Sequence, residues 1–134
     1  MKQCIVTEEG LACINALYDT ALEKKFKPFL FKYALYYYSS YLASTMSFVE
    51  LYNDLEKYVD NPKRRWKSVL RVKRGMGDTK EEGGLYKDQV YLEGAVKILH
   101  ARKSIDFKLL YGGKINIEDL DRPFIQKKLK NSEI

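Results

Sequence analysis

The residues best suited to chemistry lie near the start of the chain, where residues 7–12 read Thr-Glu-Glu-Gly-Leu-Ala. Glutamate carboxylates can each supply an oxygen ligand to a metal, but catalytic zinc needs about three protein ligands and an open position. The chain has one histidine, His100, whose place near a predicted helix end is more typical of a capping or surface residue. We therefore expect Glu8 and Glu9 to form part of a site whose other part lies elsewhere.

A structural explanation of the same residues stays open. Acidic side chains in the first turn of a helix are favoured by the helix dipole. Ala12, Cys13 and Ala16 follow Glu9 at helical spacing, so a neighbouring helix could approach closely along their face. Together these features would account for both glutamates without a metal.

A basic segment covers residues 63–74, where seven of twelve residues are cationic and none is acidic. At helical spacing it predicts a stripe of positive charge opposite an apolar face of Trp66, Val69 and Leu70; the stripe comprises Arg64, Lys67, Arg71 and Arg74. It is either an ordinary solvated face or a binding surface for an acidic polypeptide. Nucleic acid is less favoured because no known nucleic-acid-binding motif accompanies the charge.

Three further residues could bind a substrate. Lys73 falls on the apolar side of the basic helix, so it either extends to solvent at the helix end or faces a site. Lys87, Tyr91 and Gly94 are spaced to share one helical face, with the Tyr91 phenol as an oxyanion donor and Lys87 as a partner for a carboxyl terminus. Surface and packing roles explain the same spacing equally simply.

Composition limits the class of protein. A chain of 134 residues with 46% hydrophobic and 13% aromatic residues is long enough for one domain with a buried core. The net charge of +6 indicates acidic partners. No apolar stretch reaches the length of a membrane span or resembles a signal peptide, and two cysteines make no disulfide scaffold, so we expect an intracellular, cytoplasmic protein.

The periodicity predicts an all-α chain. Thr7 caps a helix over residues 8–23, Pro28 begins a second, Ser47 and Glu50 form a capping box for a third, and Asn61-Pro62 begins a fourth that ends at Gly75. Later helices are expected over residues 86–102, after a Ser104 cap, and after Asn116, with a polar tail from Pro123. The second helix is apolar on every side, so we expect Phe31, Tyr37 and Tyr41 to be covered by the other helices or by a partner chain.

Four segments together resemble a known family. They are residues 7–12, then Arg-Val-Lys-Arg-Gly at 71–75, Asp-Thr at 78–79, and Lys-Asp-Gln-Val-Tyr-Leu-Glu-Gly at 87–94. The family comprises the bacterial flavohaemoglobin expression-modulating QEGLA-motif proteins and the eukaryotic microtubule-associated tyrosine carboxypeptidases. The chain is more similar to the eukaryotic branch.

The resemblance implies the C-terminal half of a zincin-like metallopeptidase domain over residues 1–122, with a polar tail at 123–134. It implies that Glu9 is a zinc ligand and that Glu8 supports the site without binding the metal. In this family an H-E-x-x-x-H helix supplies two histidine ligands and the catalytic glutamate, and the eukaryotic members remove the C-terminal tyrosine of α-tubulin, which has an acidic tail.

That helix precedes the glutamate motif in the family, and it is not among these residues. We therefore expect the chain to need a missing N-terminal half or a partner chain, to retain no zinc alone and to be inactive by itself. For the substrate we select Arg71, Lys73, Arg74 and Lys87. If the chain is part of such a peptidase, we also expect it to associate with microtubules. The alternative is a non-catalytic adaptor in a larger assembly.

Overall fold

The computed structural model describes the backbone of residues 2–22 and 30–130, and the side chains of residues 5–16 and 30–127. Every regular element in these ranges is helical, which confirms the all-α prediction. The α-helices are α1 (Lys2–Leu22), α2 (Leu30–Ala43), α3 (Phe48–Asp54), α4 (Pro62–Lys73), α5 (Gln89–Ala101), α6 (Phe107–Tyr111) and α7 (Pro123–Lys130). Short 3₁₀ turns occupy Leu55–Lys57 and Ile117–Asp119.

The chain divides into two compact units. One comprises Met1–Lys27 with Val90–Ile134, and the other comprises Pro28–Gln89. None of the helices described is long and apolar enough to cross a bilayer.

In the first unit, α1 begins six residues before the predicted start at residue 8. Thr7 is therefore not its N-cap; the Thr7 hydroxyl is buried and accepts a hydrogen bond from the Ile117 N–H at 3.3 Å. Glu8 and Glu9 consequently lie inside α1 rather than in its first turn. The helix-dipole explanation of the two glutamates no longer applies, because the dipole acts only within the terminal turn.

Two glycines determine how α1 meets α5. A Cβ atom added to Gly94 would lie 1.9 Å from the Val6 carbonyl oxygen, and one added to Gly10 would lie 2.3 Å from the Gly94 carbonyl carbon. The two backbones are thus in direct contact where these residues cross. The predicted close approach of a neighbouring helix does occur, but Gly10 provides it; of the three residues predicted to line that face, Cys13 is buried, whereas Ala12 and Ala16 are exposed.

In the second unit, local sequence signals set the helix boundaries as predicted. Ser47 caps α3 and forms a capping box with Glu50. The Asn61 side chain accepts a hydrogen bond from the Arg64 N–H at 3.0 Å and caps α4. Gly75, at φ 84°, follows the end of α4. The core between α2, α3 and α4 contains Ala43, Phe48, Leu51, Leu55, Val69 and Val72.

Within the described residues the other helices do not cover all of the large aromatic side chains of α2, and coverage by a partner chain stays a prediction. Phe31 and Tyr41 are 45% and 64% exposed, while Ser39 and Ser40 are fully buried. The reason is that small side chains let α3 and α4 approach one side of α2, which leaves Phe31 and Tyr41 on the outside. The predicted apolar face of α4 is also wrong in part, since Trp66 and Leu70 are exposed.

Three boundaries differ in the later part of the chain. Helix α5 begins at Gln89 rather than near residue 86, and the cap of α6 is Asp106, which accepts a hydrogen bond from the Leu109 N–H at 3.0 Å, rather than Ser104. Asn116 precedes a 3₁₀ turn without capping it through its side chain. Residues 123–130 of the predicted polar tail form α7. Pro28, the predicted start of the second helix, lies outside the described residues.

Candidate functional site

The two glutamates of the first unit differ in their surroundings. Glu8 is exposed and forms an ion pair with Lys114 at 3.4 Å. Glu9 is half-buried and directly precedes Gly10, which lies at the contact between α1 and α5. Of the two carboxylates, Glu9 is therefore the one on the more enclosed part of α1.

The described residues do not fit a complete zinc site. No group of three or more His, Cys, Asp or Glu side chains comes together within the part of the chain that the structure describes. His100 is exposed near the end of α5. A zinc ion bound by proteins is almost always held by at least three such side chains, so the described residues alone do not make up a zinc site of this kind.

The second unit carries a basic cleft along α4, with a volume of about 480 Å³. We call it the α4 cleft, and its lining comprises Tyr36, Lys67, Ser68, Leu70, Arg71 and Arg74. Lys67 and Arg74 are exposed. Three cations of the predicted stripe thus line one concave surface, whereas the fourth, Arg64, is exposed on the same helix and does not line it.

Arg71 is fixed on two sides. Its Nε and Nη2 atoms donate to the two carboxylate oxygens of Asp88 at 2.5 and 3.2 Å. Its guanidinium carbon lies 4.5 Å from the centre of the Tyr36 ring, in a cation–π contact. Sequence reasoning missed Asp88, because helical periodicity relates only neighbouring turns and these partners are 17 positions apart.

Lys73 does not face the α4 cleft. It is 1% exposed, and its ammonium donates to the Met46 and Glu81 carbonyl oxygens at 2.5 and 2.9 Å. Burial lowers the pKa of Lys73 from its usual range, although the Glu82 and Glu50 carboxylates act in the opposite direction. This position speaks against binding of substrate by Lys73 and indicates a structural role in holding the loop of residues 75–85.

Lys87 and Tyr91 do not share a helical face, because Lys87 lies in the turn before α5. Lys87 is exposed, and Tyr91 is half-buried three residues before Gly94. The common face predicted for Lys87, Tyr91 and Gly94 is therefore wrong. The roles assigned to Lys87 and Tyr91 stay predictions.

Known proteins match most of the chain. The family model described as microtubule-associated tyrosine carboxypeptidase matches residues 40–131. A putative tyrosine carboxypeptidase MATCAP2 from Mus musculus is 51% identical over 117 residues, which is 87% of this chain and 22% of the relative. The Homo sapiens microtubule-associated tyrosine carboxypeptidase 1 is 47% identical over 116 residues, which is 86% of this chain and 24% of the relative. The chain thus spans less than a quarter of the length of either relative.

Proposed function

The chain belongs to the microtubule-associated tyrosine carboxypeptidase family, and we propose that it is the C-terminal portion of a zincin-like metallocarboxypeptidase domain that binds an acidic polypeptide. The α4 cleft is the observation that carries this proposal. Its concave, positively charged lining suits a peptide rich in carboxylates, such as a tubulin tail.

The metal part of the proposal assigns one ligand to this chain. Glu9 supplies a carboxylate to zinc and Glu8 lies beside it, while the histidine ligands and the general base come from outside these residues. Tyr91 is a candidate oxyanion donor. We expect the chain to be inactive by itself, because activation of water needs a positioned base and this proposal places that base outside these residues. An intracellular location fits a substrate of the tubulin type.

The α4 cleft leads to a first prediction. Lys67→Glu with Arg74→Glu is expected to weaken binding of a glutamate-rich peptide by roughly tenfold, since each exposed ion pair contributes about 0.2–1 kcal/mol and reversal replaces attraction by repulsion. Binding to the unmodified chain is expected to weaken as salt rises, because the Debye length falls from about 10 Å at 0.1 M to about 3 Å at 1 M.

The chain provides both a reporter and a matched control for this test. Trp66 is its single tryptophan, is 54% exposed and precedes Leu70 of the cleft by one helical turn, so its fluorescence can follow the titration. Arg64→Glu reverses one charge on the same helix but outside the cleft. Its effect on the binding free energy should be less than half that of the double variant. Equal weakening per reversed charge in both variants would mean that α4 is an ordinary charged face.

A second candidate function is that of a non-catalytic adaptor in a larger assembly. The observation in its favour is the exposed aromatic surface of α2, where a cleft of about 440 Å³ is lined by Phe31, Ala34, Leu35, Tyr37, Tyr38, Tyr41 and Tyr58. Apolar surfaces of this kind often mark contacts with other proteins. An adaptor would tolerate the loss of Glu9, whereas a metallopeptidase portion would not.

A further inference from the structure

We propose that Asp88 is a positioning residue for the α4 cleft, which it serves by holding Arg71 in the orientation that presents its guanidinium to a bound carboxylate. This inference rests on the proposed function, since it concerns the same acidic polypeptide. Asp88 itself touches no ligand: it is 2% exposed and does not line the cleft.

The geometry is that of a fork. A guanidinium and a carboxylate pair best through two parallel hydrogen bonds in one plane, which fixes orientation as well as distance. Asp88 engages the Nε and Nη2 edge of Arg71, while 32% of the Arg71 side chain is still exposed where it lines the cleft. Asp88 thus holds one edge of the guanidinium of a side chain that also lines the cleft.

Tyr36 restrains the same group from a second direction. Its ring lies against the guanidinium at 4.5 Å and also lines the cleft. An arginine side chain carries about 2 kcal/mol of rotamer entropy. The Asp88 carboxylate and the Tyr36 ring already restrict the Arg71 side chain. A ligand that binds Arg71 therefore loses less free energy to the ordering of this side chain.

A simpler role for Asp88 predicts the opposite change in peptide affinity when its charge is removed. If its charge only neutralised Arg71, removing that charge would make the cleft more positive and tighten the binding of an anionic peptide. If Asp88 orients Arg71, removing the charge weakens binding. In Asp88→Asn the amide can accept through one oxygen only, and its NH₂ group faces an N–H donor of Arg71. The sign of the change therefore separates the two roles.

The test is a double-mutant cycle on the full chain, with binding of a glutamate-rich peptide measured by calorimetry. Asp88→Asn and Arg71→Ala are each expected to weaken binding by about fivefold to tenfold. In the Arg71→Ala background Asp88→Asn is expected to change affinity by less than twofold, because no guanidinium is left to orient. Lys67→Ala provides the comparison, since it should weaken binding by a similar factor with and without Asp88→Asn.

Four outcomes would overturn the proposal in different ways. Tighter binding by Asp88→Asn would assign Asp88 a neutralising role only, and equal weakening with and without Arg71 would assign it a purely structural one. If Asp88→Asn fails to fold, Arg71→Lys keeps the charge but cannot form the fork, so affinity equal to the unmodified chain would also contradict the proposal. Absence of any binding by the unmodified chain would refute the proposed function, and this inference with it.

Discussion

Replacement of Lys73 by methionine is expected to lower the free energy of unfolding by about 2–4 kcal/mol. The ammonium of Lys73 donates to the Met46 and Glu81 carbonyl oxygens from a fully buried position. Hydrogen bonds to charged groups contribute about 1.5–3 kcal/mol each, and the loss is reduced because the variant no longer desolvates a charge. Urea unfolding followed by circular dichroism measures the difference.

The loop of residues 75–85 should loosen in the same variant. Its Gly83 and Leu85 N–H groups donate to the Ala43 and Val72 carbonyl oxygens at 2.6 and 2.7 Å, so their hydrogen exchange should accelerate when Lys73 is lost. Lys67→Met removes an exposed ammonium from the same helix and should change stability by no more than about 0.5 kcal/mol. If the two variants were equally stable, Lys73 would have no structural role.

Gly94→Ala is expected to destabilise the first unit by about 3 kcal/mol. The added Cβ would lie 1.9 Å from the Val6 carbonyl oxygen, so the α1 and α5 backbones would have to separate. Overpacking costs about 1–3 kcal/mol when side chains can adjust, and a backbone contact leaves less room to adjust. This outweighs the roughly 1 kcal/mol by which alanine exceeds glycine in helix propensity. Thermal unfolding measures the balance.

Gly77→Ala is the matched control, since no atom lies within 4 Å of the added Cβ. It should leave stability unchanged or raise it by up to about 1 kcal/mol. A Gly94→Ala variant as stable as Gly77→Ala would show that α1 and α5 do not meet at Gly94. Because Glu9 directly precedes Gly10 on α1, the same contact also fixes the part of the chain to which we assign the metal ligand.

The sequence predicted those parts of the fold that depend on a few consecutive residues. Ser47 with Glu50, and Asn61 with Pro62, specify helix starts through hydrogen bonds that span three positions, and the structure confirms both. The same kind of signal predicted Thr7 as the N-cap of the first helix. That prediction was wrong, because the residues before Thr7 are also helical and the Thr7 hydroxyl accepts a hydrogen bond from the Ile117 N–H instead.

The candidate site was predictable in its composition and not in its contacts. Helical spacing identified Lys67, Arg71 and Arg74 as one face, and they do line one cleft. The partner of Arg71 and the burial of Lys73 depend on contacts between segments far apart in the sequence, which periodicity does not describe. The family, by contrast, followed from the order of four short motifs and is confirmed by its relatives.

The central claim, that Glu9 supplies a zinc ligand to a larger peptidase domain, is tested most directly by zinc content. The measurement uses the full-length Mus musculus relative with the segment that corresponds to this chain exchanged for residues 1–134. We expect about one zinc per molecule, loss of that zinc with Glu9→Gln and its retention with Glu8→Gln. Zinc retained equally by the Glu9→Gln and Glu8→Gln variants would contradict the assignment of Glu9 and favour the adaptor.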